Sequence, residues 1–220
     1  MKGLLLRVGI DIATGDCIAP IFEDGSFEYI PIPELQATSE SRMYANMKGI
    51  NGRAIVEFVP EKIKYCHPHY NPEFTTYTFG NSTKIKRNQL SKLSPGDPLL
   101  FYAKLKPLNS EADPRLYVIG YFVTEKIYDF KKIKEPDYPS VFQELENNAY
   151  AKRYFKLREL NMEYREENLI IVKGKQKISK LFKKALPLGD FKGNIRKDLI
   201  PTFGYKGSLS RAVGHWIKKK

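Results

Sequence analysis

Two runs rich in aliphatic and aromatic residues lie close together near the middle of the chain. Residues 98–106 read Pro-Leu-Leu-Phe-Tyr-Ala-Lys-Leu-Lys, and residues 115–128 read Arg-Leu-Tyr-Val-Ile-Gly-Tyr-Phe-Val-Thr-Glu-Lys-Ile-Tyr. A Ser-Pro-Gly-Asp turn at residues 94–97 precedes the first run, and a polar, turn-forming linker at residues 109–114 joins the two. This pattern predicts two strands that pair in antiparallel fashion.

Shorter strands are predicted on both sides of this pair. An Asp-Gly turn is predicted within residues 23–26. The strand predictions cover residues 3–11, 27–33, 54–59 and 168–172, the second of which is an edge segment because its prolines lack ladder donors. The intervening residues 36–53 are predicted to be a polar loop with one helical turn, and residues 60–90 a loop.

Helical spacing occurs in two places. Ser140 with Gln143 fits a capping box, so we predict that a helix begins near Ser140. Apolar residues recur at i, i+3, i+4, i+7 and i+8 from Ile178, which predicts an amphipathic helix over residues 177–186. Strands and helices together predict an α+β protein with a mainly antiparallel sheet and two or three helices.

The positive charge of the chain is unevenly distributed. Residues 1–170 contain 23 Lys and Arg against 23 Asp and Glu, whereas residues 171–220 contain 14 basic residues against Asp190 and Asp198. Such clustering indicates a polyanionic partner, nucleic acid before an anionic membrane, although lysines also simply solubilise a surface. We predict a core domain over residues 1–170 and a basic helical segment over residues 171–220 packed on it.

Several protein classes are excluded or disfavoured. Two cysteines can form at most one disulfide, and no apolar run is long enough to span a bilayer. The first residues do not resemble a signal peptide, so a cytoplasmic protein is expected. Phosphate-loop, dinucleotide-binding and nucleophile-elbow motifs are absent.

The segment over residues 66–74, Cys-His-Pro-His-Tyr-Asn-Pro-Glu-Phe, is the densest in chemically active side chains. His67 and His69 could share a metal ion, but no third ligand is identifiable, and no metal or other cofactor is assigned. His69 could act as an acid/base group with Glu73 or Asp11 as its carboxylate partner. Alternatively, the segment is a turn in which these side chains hydrogen-bond backbone groups.

Arg7 lies in an otherwise apolar strand and therefore needs a partner or an anionic ligand if it is buried. An ion pair with Asp11 or Asp16 is the alternative. Aromatic residues interleaved with basic ones could stack nucleobases. These are Tyr70, Tyr77, Phe79, Tyr102, Tyr205 and Trp216, beside Lys84, Lys86, Arg87, Lys104 and Arg211, with Lys177, Lys180, Lys183 and Lys184 on the predicted helix as phosphate contacts.

Several blocks of the sequence resemble the third nucleotide-modification-associated domain family. They are residues 7–11 (Arg-Val-Gly-Ile-Asp), 15–21, 29–34, 69–74, 78–81, 96–102 and 119–121. Asn71, Glu73 and Asn81 stand where the family has Asp. The resemblance implies association with nucleotide- or DNA-modification systems and their partner proteins, but no reaction.

A second likeness covers about thirty residues. Residues 95–102 and 118–123, with a Gly-Asp turn and a following Ile-Gly strand, are similar to PUA-like barrels. The predicted fold is therefore α+β, with a mixed, mainly antiparallel curved sheet or a PUA-like barrel.

Three functions follow from these observations. The first is a nucleic-acid-binding protein linked to base modification, in which Arg7, His69, Asn71, Tyr77 and Tyr102 line a base-binding pocket and the C-terminal lysines, Arg211 and Trp216 contact DNA or RNA. The second is an enzyme acting on a nucleobase, nucleotide or strand through His69 with Glu73 or Asp11. The third is an accessory protein whose basic segment docks on a partner.

Overall fold

The computed structural model describes residues 2–205, 207–209, 211 and 213–218. Within these residues the chain forms ten strands and five α-helices. The strands are β1 (Lys2–Arg7), β2 (Ala19–Ile21), β3 (Ile32–Pro33), β4 (Pro68–His69), β5 (Thr78–Asn81), β6 (Pro98–Pro107), β7 (Arg115–Asp129), β8 (Ile170–Gly174), β9 (Lys180–Gly189) and β10 (His215–Lys218). The helices are α1 (Ile12–Gly15), α2 (Lys84–Leu90), α3 (Tyr138–Glu144), α4 (Ala149–Glu159) and α5 (Ile200–Phe203). Short 3-10 helices occur at Tyr44–Asn46, Ile55–Glu57, Glu61–Ile63, Glu135–Asp137 and Lys197–Leu199.

A mixed, mostly antiparallel sheet organises the chain. Strands β6 and β7 pair in antiparallel fashion, as predicted, and β1 lies parallel to β6. In the described residues the strand order is β10-β1-β6-β7-β8-β5, with β2 also on β6 and β9 also on β7. The α+β class is confirmed, and over the same residues the sheet stays open, so the closed-barrel form is wrong.

Both faces of the sheet are covered, which explains the uninterrupted apolar run of β1. Leu4 and Leu6 enter the main core together with Phe101 of β6. Leu5 and Tyr102, which alternate with them, enter a second cluster on the opposite face. Buried strands of this kind lose the polar-apolar alternation of a one-sided sheet.

Helices α3 and α4 pack on one end of the sheet through stacked aromatic rings. Phe142 lies between Phe130 and Tyr154, with ring centroids 4.6 Å and 4.2 Å away. These contacts bury the apolar side of α4, and its N-terminal turns reach the loop over residues 34–42. That loop forms one wall of the site described below.

The helix predicted over residues 177–186 is wrong, because residues 177–179 precede the strand β9 and the rest of this segment belongs to it. It pairs with β7 from Tyr121↔Lys180 to Leu116↔Gly189, with two register shifts. The edge of the fifteen-residue β7 offers many unpaired backbone groups, and satisfying them outweighs the helical spacing of the apolar residues. Pro187 is tolerated because β9 is an edge strand.

Other predicted boundaries shift for local reasons. Residues 54–59 contain a 3-10 helix instead of a strand, and within residues 27–33 only Ile32–Pro33 form a strand. The helix expected near Ser140 begins at Tyr138, and Ser140 donates its hydroxyl to the Asp137 carbonyl oxygen. Helix α2, within the predicted loop over residues 60–90, is capped by the side chain of Thr83.

The segment over residues 171–220 joins the sheet. Strand β8 crosses residue 170, and β9 and β10 pair with β7 and β1. The prediction that this segment is helical is therefore wrong for most of its length. Its backbone groups instead form hydrogen bonds with those of β1 and β7 that would otherwise be unpaired.

Candidate functional site

A pocket of about 560 Å³ opens between the loop over residues 34–50, the loop over residues 70–75, the start of α4 and strand β9. We call it the Arg42 pocket. Its wall includes Glu40, Arg42, Tyr70, Glu73 and Lys152, with Tyr29, Phe74, Asn147 and Leu181 completing the lining. Its size falls in the usual range for small-ligand sites, and its lining mixes apolar rings with a few polar groups.

Glu40 anchors one wall of the pocket. Its carboxylate is almost fully buried and accepts two hydrogen bonds of 2.8 Å from the Arg42 guanidinium. Lys152 of α4 donates to the same carboxylate. Burial alone would raise the pKa of Glu40, but the hydrogen bonds from Arg42 and Lys152 outweigh it and lower that pKa to about 2. The carboxylate therefore stays ionised and holds both cations in place.

Arg42 lies over the ring of Tyr70 in the lining of the pocket. The guanidinium carbon is 4.1 Å from the centre of the Tyr70 ring, and about half of the Arg42 side chain, 49%, remains exposed. Burial raises the pKa of Tyr70, so its phenol stays neutral and its ring keeps its full attraction for the cation. The outer face of the guanidinium is therefore a planar, open surface with an aromatic ring beneath it.

The floor of the pocket is rigid. Tyr29 donates its hydroxyl to the Pro72 carbonyl oxygen at 3.1 Å, and Phe74 packs edge-on against Tyr29. Glu73 accepts hydrogen bonds from the backbone of Thr75 and from both the backbone and the hydroxyl of Thr76. Glu73 thus shapes the turn that carries Phe74.

His69 lies in a separate, buried ion cluster. Its Nδ1 is 2.7 Å from Glu34 Oε2, and Arg153 of α4 binds the same Glu34 carboxylate at 2.8 Å and also Glu166 at 3.0 Å. Glu73 and Asp11 were the predicted partners of His69; that pairing is wrong, because β4 pairs with β3 and sets His69 beside Glu34, just beyond the end of β3.

His69 and Glu34 differ in charge within this cluster. Burial lowers the pKa of His69, although Glu34 partly counteracts the shift. Burial would raise the pKa of Glu34, but hydrogen bonds from His69 and Arg153 lower it to about 2. The stable arrangement is therefore a neutral imidazole beside an ionised Glu34–Arg153 pair.

Asn71 and Tyr77, both predicted to contact a base, are engaged in the fold. The Asn71 amide donates to the Gly80 carbonyl oxygen at 2.7 Å and accepts from the Gly80 N–H at 2.8 Å. Tyr77 packs edge-on against Phe122. His67, the other histidine of this segment, contacts the Arg42 carbonyl oxygen at 2.8 Å. The segment thus fits the alternative of a hydrogen-bonded turn.

Three predicted residues are brought together elsewhere. Asp11 accepts a hydrogen bond from Arg211 at 2.8 Å and forms an ion pair with Arg7 at 3.2 Å, and Tyr102 lies opposite Arg7 in the register of β1 and β6. The ion pair between Arg7 and Asp11, one of the alternatives for Arg7, is confirmed. Trp216 lies on β10, half-buried, with the Lys2 ammonium 5.8 Å from its ring.

Two of the predicted lysines, Lys183 and Lys184, lie next to the Arg42 pocket. Lys180, Lys183 and Lys184 are exposed on β9, and Lys177 is exposed in the turn before it. Lys183 and Lys184 line a neighbouring shallow depression that shares Ile50 and Leu181 with the Arg42 pocket. A ligand leaving the pocket along β9 would therefore meet these ammonium groups.

Several residues that line the pocket, or that hold its loop against α4, were not predicted. Glu40 and Arg42 alternate with small residues, Ser-Glu-Ser-Arg, and in an extended loop this spacing places both on one side. That alternation is the signal that was available for them. Lys152, Arg153 and Glu34 carry no local signal, because only the packing of α4 against a distant loop brings them together.

A comparison with protein-family models matches residues 2–219 to the family described as nucleotide modification associated domain 3. The chain belongs to this family. Its association with nucleotide modification, implied by the sequence blocks noted above, is thereby confirmed at that level. No curated protein and no solved structure matches the chain.

Membrane-spanning helices and metal-binding clusters are both absent from the part of the chain that the structure describes. There, no helix is long and apolar enough to cross a membrane. Over the same residues, no group of three or more His, Cys, Asp or Glu side chains is arranged to hold a metal ion.

Proposed function

We propose that this member of the nucleotide modification associated domain 3 family binds a nucleobase of DNA or RNA in the Arg42 pocket, with the adjoining backbone phosphates on the lysines of β9. The observation that carries the proposal is the exposed Arg42 guanidinium stacked on Tyr70 above a pocket of base-binding size. Unstacked bases are commonly held on Arg planes and aromatic rings.

The remaining groups of the pocket suit a base edge. Asn147 is half-buried in the wall, and its amide can donate and accept simultaneously. Lys152 lies beside it on the same wall and is oriented by Glu40. A base stacked on Arg42 would present its polar edge to such groups, which is how bases are read when they leave a helix.

The catalytic alternative has weaker support. Of the predicted catalytic residues, Glu73 lines the pocket, but its carboxylate oxygens accept hydrogen bonds from Thr75 and Thr76. His69 and Asp11 belong to the two ion clusters away from that lining. A binding role therefore fits the pocket better than acid/base chemistry.

Replacing Arg42 with lysine is expected to weaken base binding about tenfold, since stacking is worth about 1–3 kcal/mol per base and lysine keeps the charge but loses the plane. The measurement is titration of the protein with the common nucleosides and with short single-stranded DNA and RNA. Arg53→Lys is the matched control, because the Arg53 guanidinium also covers an aromatic ring, Phe22, at 4.6 Å but lies outside the pocket lining. Equal affinities for both variants would refute the role of Arg42.

Replacing Lys180, Lys183 and Lys184 together with glutamine is expected to reduce the slope of log affinity against log salt by about 2 on a single strand, because each lost phosphate contact removes about 0.7. The three lysines are exposed, so the fold is retained. Deleting the segment would not be a clean test, since β8, β9 and β10 belong to the sheet. The matched control replaces the exposed Lys131, Lys132 and Lys134. A slope unchanged by the β9 variant would contradict the phosphate contacts.

A further inference from the structure

A second cluster of cations lies around Asp11, at the end of β1. The Asp11 carboxylate accepts hydrogen bonds from Arg211 at 2.8 Å and from the Thr14 hydroxyl at 3.1 Å, and it forms an ion pair with Arg7 at 3.2 Å. Arg211 also donates to the Gly9 carbonyl oxygen at 2.7 Å, which fixes its guanidinium. The Asp11 carboxylate is therefore the counter-charge of both arginines.

Lys86 of α2 adds a third cation. Two hydrogen bonds between the Gln89 side chain and the backbone of Gly214, at 2.7 Å and 2.9 Å, dock α2 on the segment that carries Arg211. Burial and the neighbouring Arg211 lower the pKa of Lys86 to about 8. Within the described residues, the Lys86 ammonium forms no ion pair and no hydrogen bond.

The cluster is short of negative charge and of acceptors. Arg7 and Arg211 share one carboxylate, Lys86 lies within electrostatic range of Arg211, and the Arg7 Nε is buried without a hydrogen-bond partner among the described residues. Burial also lowers the pKa of Arg211, with Arg7 adding to the shift against the opposing effect of Asp11. Cations removed from water without counter-charge are costly, and an anion bound between them would offset that cost.

We propose that Arg7, Lys86 and Arg211 form a binding site for a phosphoryl group. Two guanidinium groups and one ammonium group are the usual partners of a phosphate dianion, because guanidinium binds it bidentately and ammonium contributes a compact charge. Asp11 holds both arginines in position from one side, and the Arg7 Nε lacks a hydrogen-bond partner among the described residues. This site does not depend on the function proposed for the Arg42 pocket, which binds the base rather than the phosphate.

The test is the thermal stability and phosphate affinity of the full chain, with chloride at matched ionic strength as reference. Inorganic phosphate is expected to raise the melting temperature of the wild type and of Lys84→Gln, an exposed position on the same helix. Lys86→Gln is expected to weaken phosphate binding about tenfold, because hydrogen bonds to charged groups contribute about 1.5–3 kcal/mol. Without phosphate, this variant is expected to be at least as stable as the wild type.

A labelling experiment on the wild type covers the case in which the variant folds poorly. Phosphate is expected to slow acetylation of Lys86, measured by mass spectrometry at pH 8, and to leave that of Lys84 unchanged. Nucleoside monophosphates and 5′-phosphorylated single strands, run in parallel, identify the source of the group by their affinity relative to inorganic phosphate. No stabilisation of the wild type, or equal protection of both lysines, would overturn the proposal. Nucleosides without phosphate test the Arg42 pocket separately.

Discussion

Glu34→Gln is expected to lower the free energy of unfolding by about 3 kcal/mol, because the buried Arg153 then keeps only Glu166 as a counter-charge. The Glu34 side chain is 1% exposed and Arg153 is 12% exposed, so little water can replace the lost interaction. His69 loses the acceptor for its Nδ1 as well. Domains of this size are stable by about 5–15 kcal/mol, so urea denaturation would register the change clearly.

Glu163→Gln is the matched control, since Glu163 and Arg165 form an exposed pair with 68% and 79% of their side chains accessible. Exposed pairs contribute about 0–1 kcal/mol. The loss of stability caused by Glu34→Gln, unlike that caused by Glu163→Gln, is also expected to depend on pH. The pKa of Glu34 is about 2 in the fold against 4.5 for the free side chain, so its stabilisation is complete above 4.5 and is lost as the pH falls towards 2. A Glu34→Gln effect no larger than the control would show that the cluster is dispensable.

This cluster also supports the Arg42 pocket. Consecutive residues of α4, Lys152 and Arg153, bind Glu40 and Glu34 at the two ends of one loop, and Ser39 donates its N–H to the Lys152 carbonyl oxygen at 3.2 Å. The loop that presents Arg42 is therefore tied to the helix at several points. Preorganisation of this kind reduces the entropy lost when a ligand binds.

The fold could be predicted where the local sequence pattern favours the same secondary structure that pairing within the sheet requires. Strands β6 and β7 have aliphatic and aromatic residues flanked by turn residues, and they form the predicted pair. Strand β9 fails this condition, because its apolar spacing is helical while the open edge of β7 requires a strand. Backbone pairing over ten residues outweighs a propensity worth tenths of a kcal/mol per residue.

The candidate site was less predictable for a different reason. Asp11, Arg7 and Arg211 were selected by residue type, and the fold brings the three together across 200 positions of sequence. His69 was also selected, but its partner Glu34 carries no distinguishing motif. Ion pairs between distant segments depend on how helices pack, which local periodicity does not encode.

The two proposed sites meet at one residue. Tyr29 lines the Arg42 pocket, and its ring would lie 3.6 Å from a Cβ placed on Gly9, whose carbonyl oxygen holds Arg211. Burial raises the pKa of Tyr29 well above its usual value, so the Tyr29 phenol stays neutral beside both sites. The two proposed sites therefore lie close to each other in the fold, which suits a protein associated with nucleotide modification.

Asp11→Asn is expected to lower the free energy of unfolding by about 3 kcal/mol in phosphate-free buffer, because it removes the carboxylate shared by two half-buried guanidinium groups. Asparagine caps a helix as well as aspartate does, so α1 is retained and the loss reports charge alone. The exposed Asp16, paired with Lys62 at 2.9 Å, gives the control variant Asp16→Asn, with an expected change below about 1 kcal/mol.

Phosphate distinguishes this interpretation from a simple loss of packing. With Asp11 neutral, three cations face the bound anion without a competing carboxylate, so phosphate is expected to bind Asp11→Asn about tenfold more tightly than the wild type. Ligand present at one hundred times its dissociation constant stabilises the fold by about 2.7 kcal/mol, which would restore most of the loss. Denaturation curves with and without phosphate measure both effects. A variant destabilised equally in the two buffers would mean that Asp11 only joins two arginines and that no anion binds beside it.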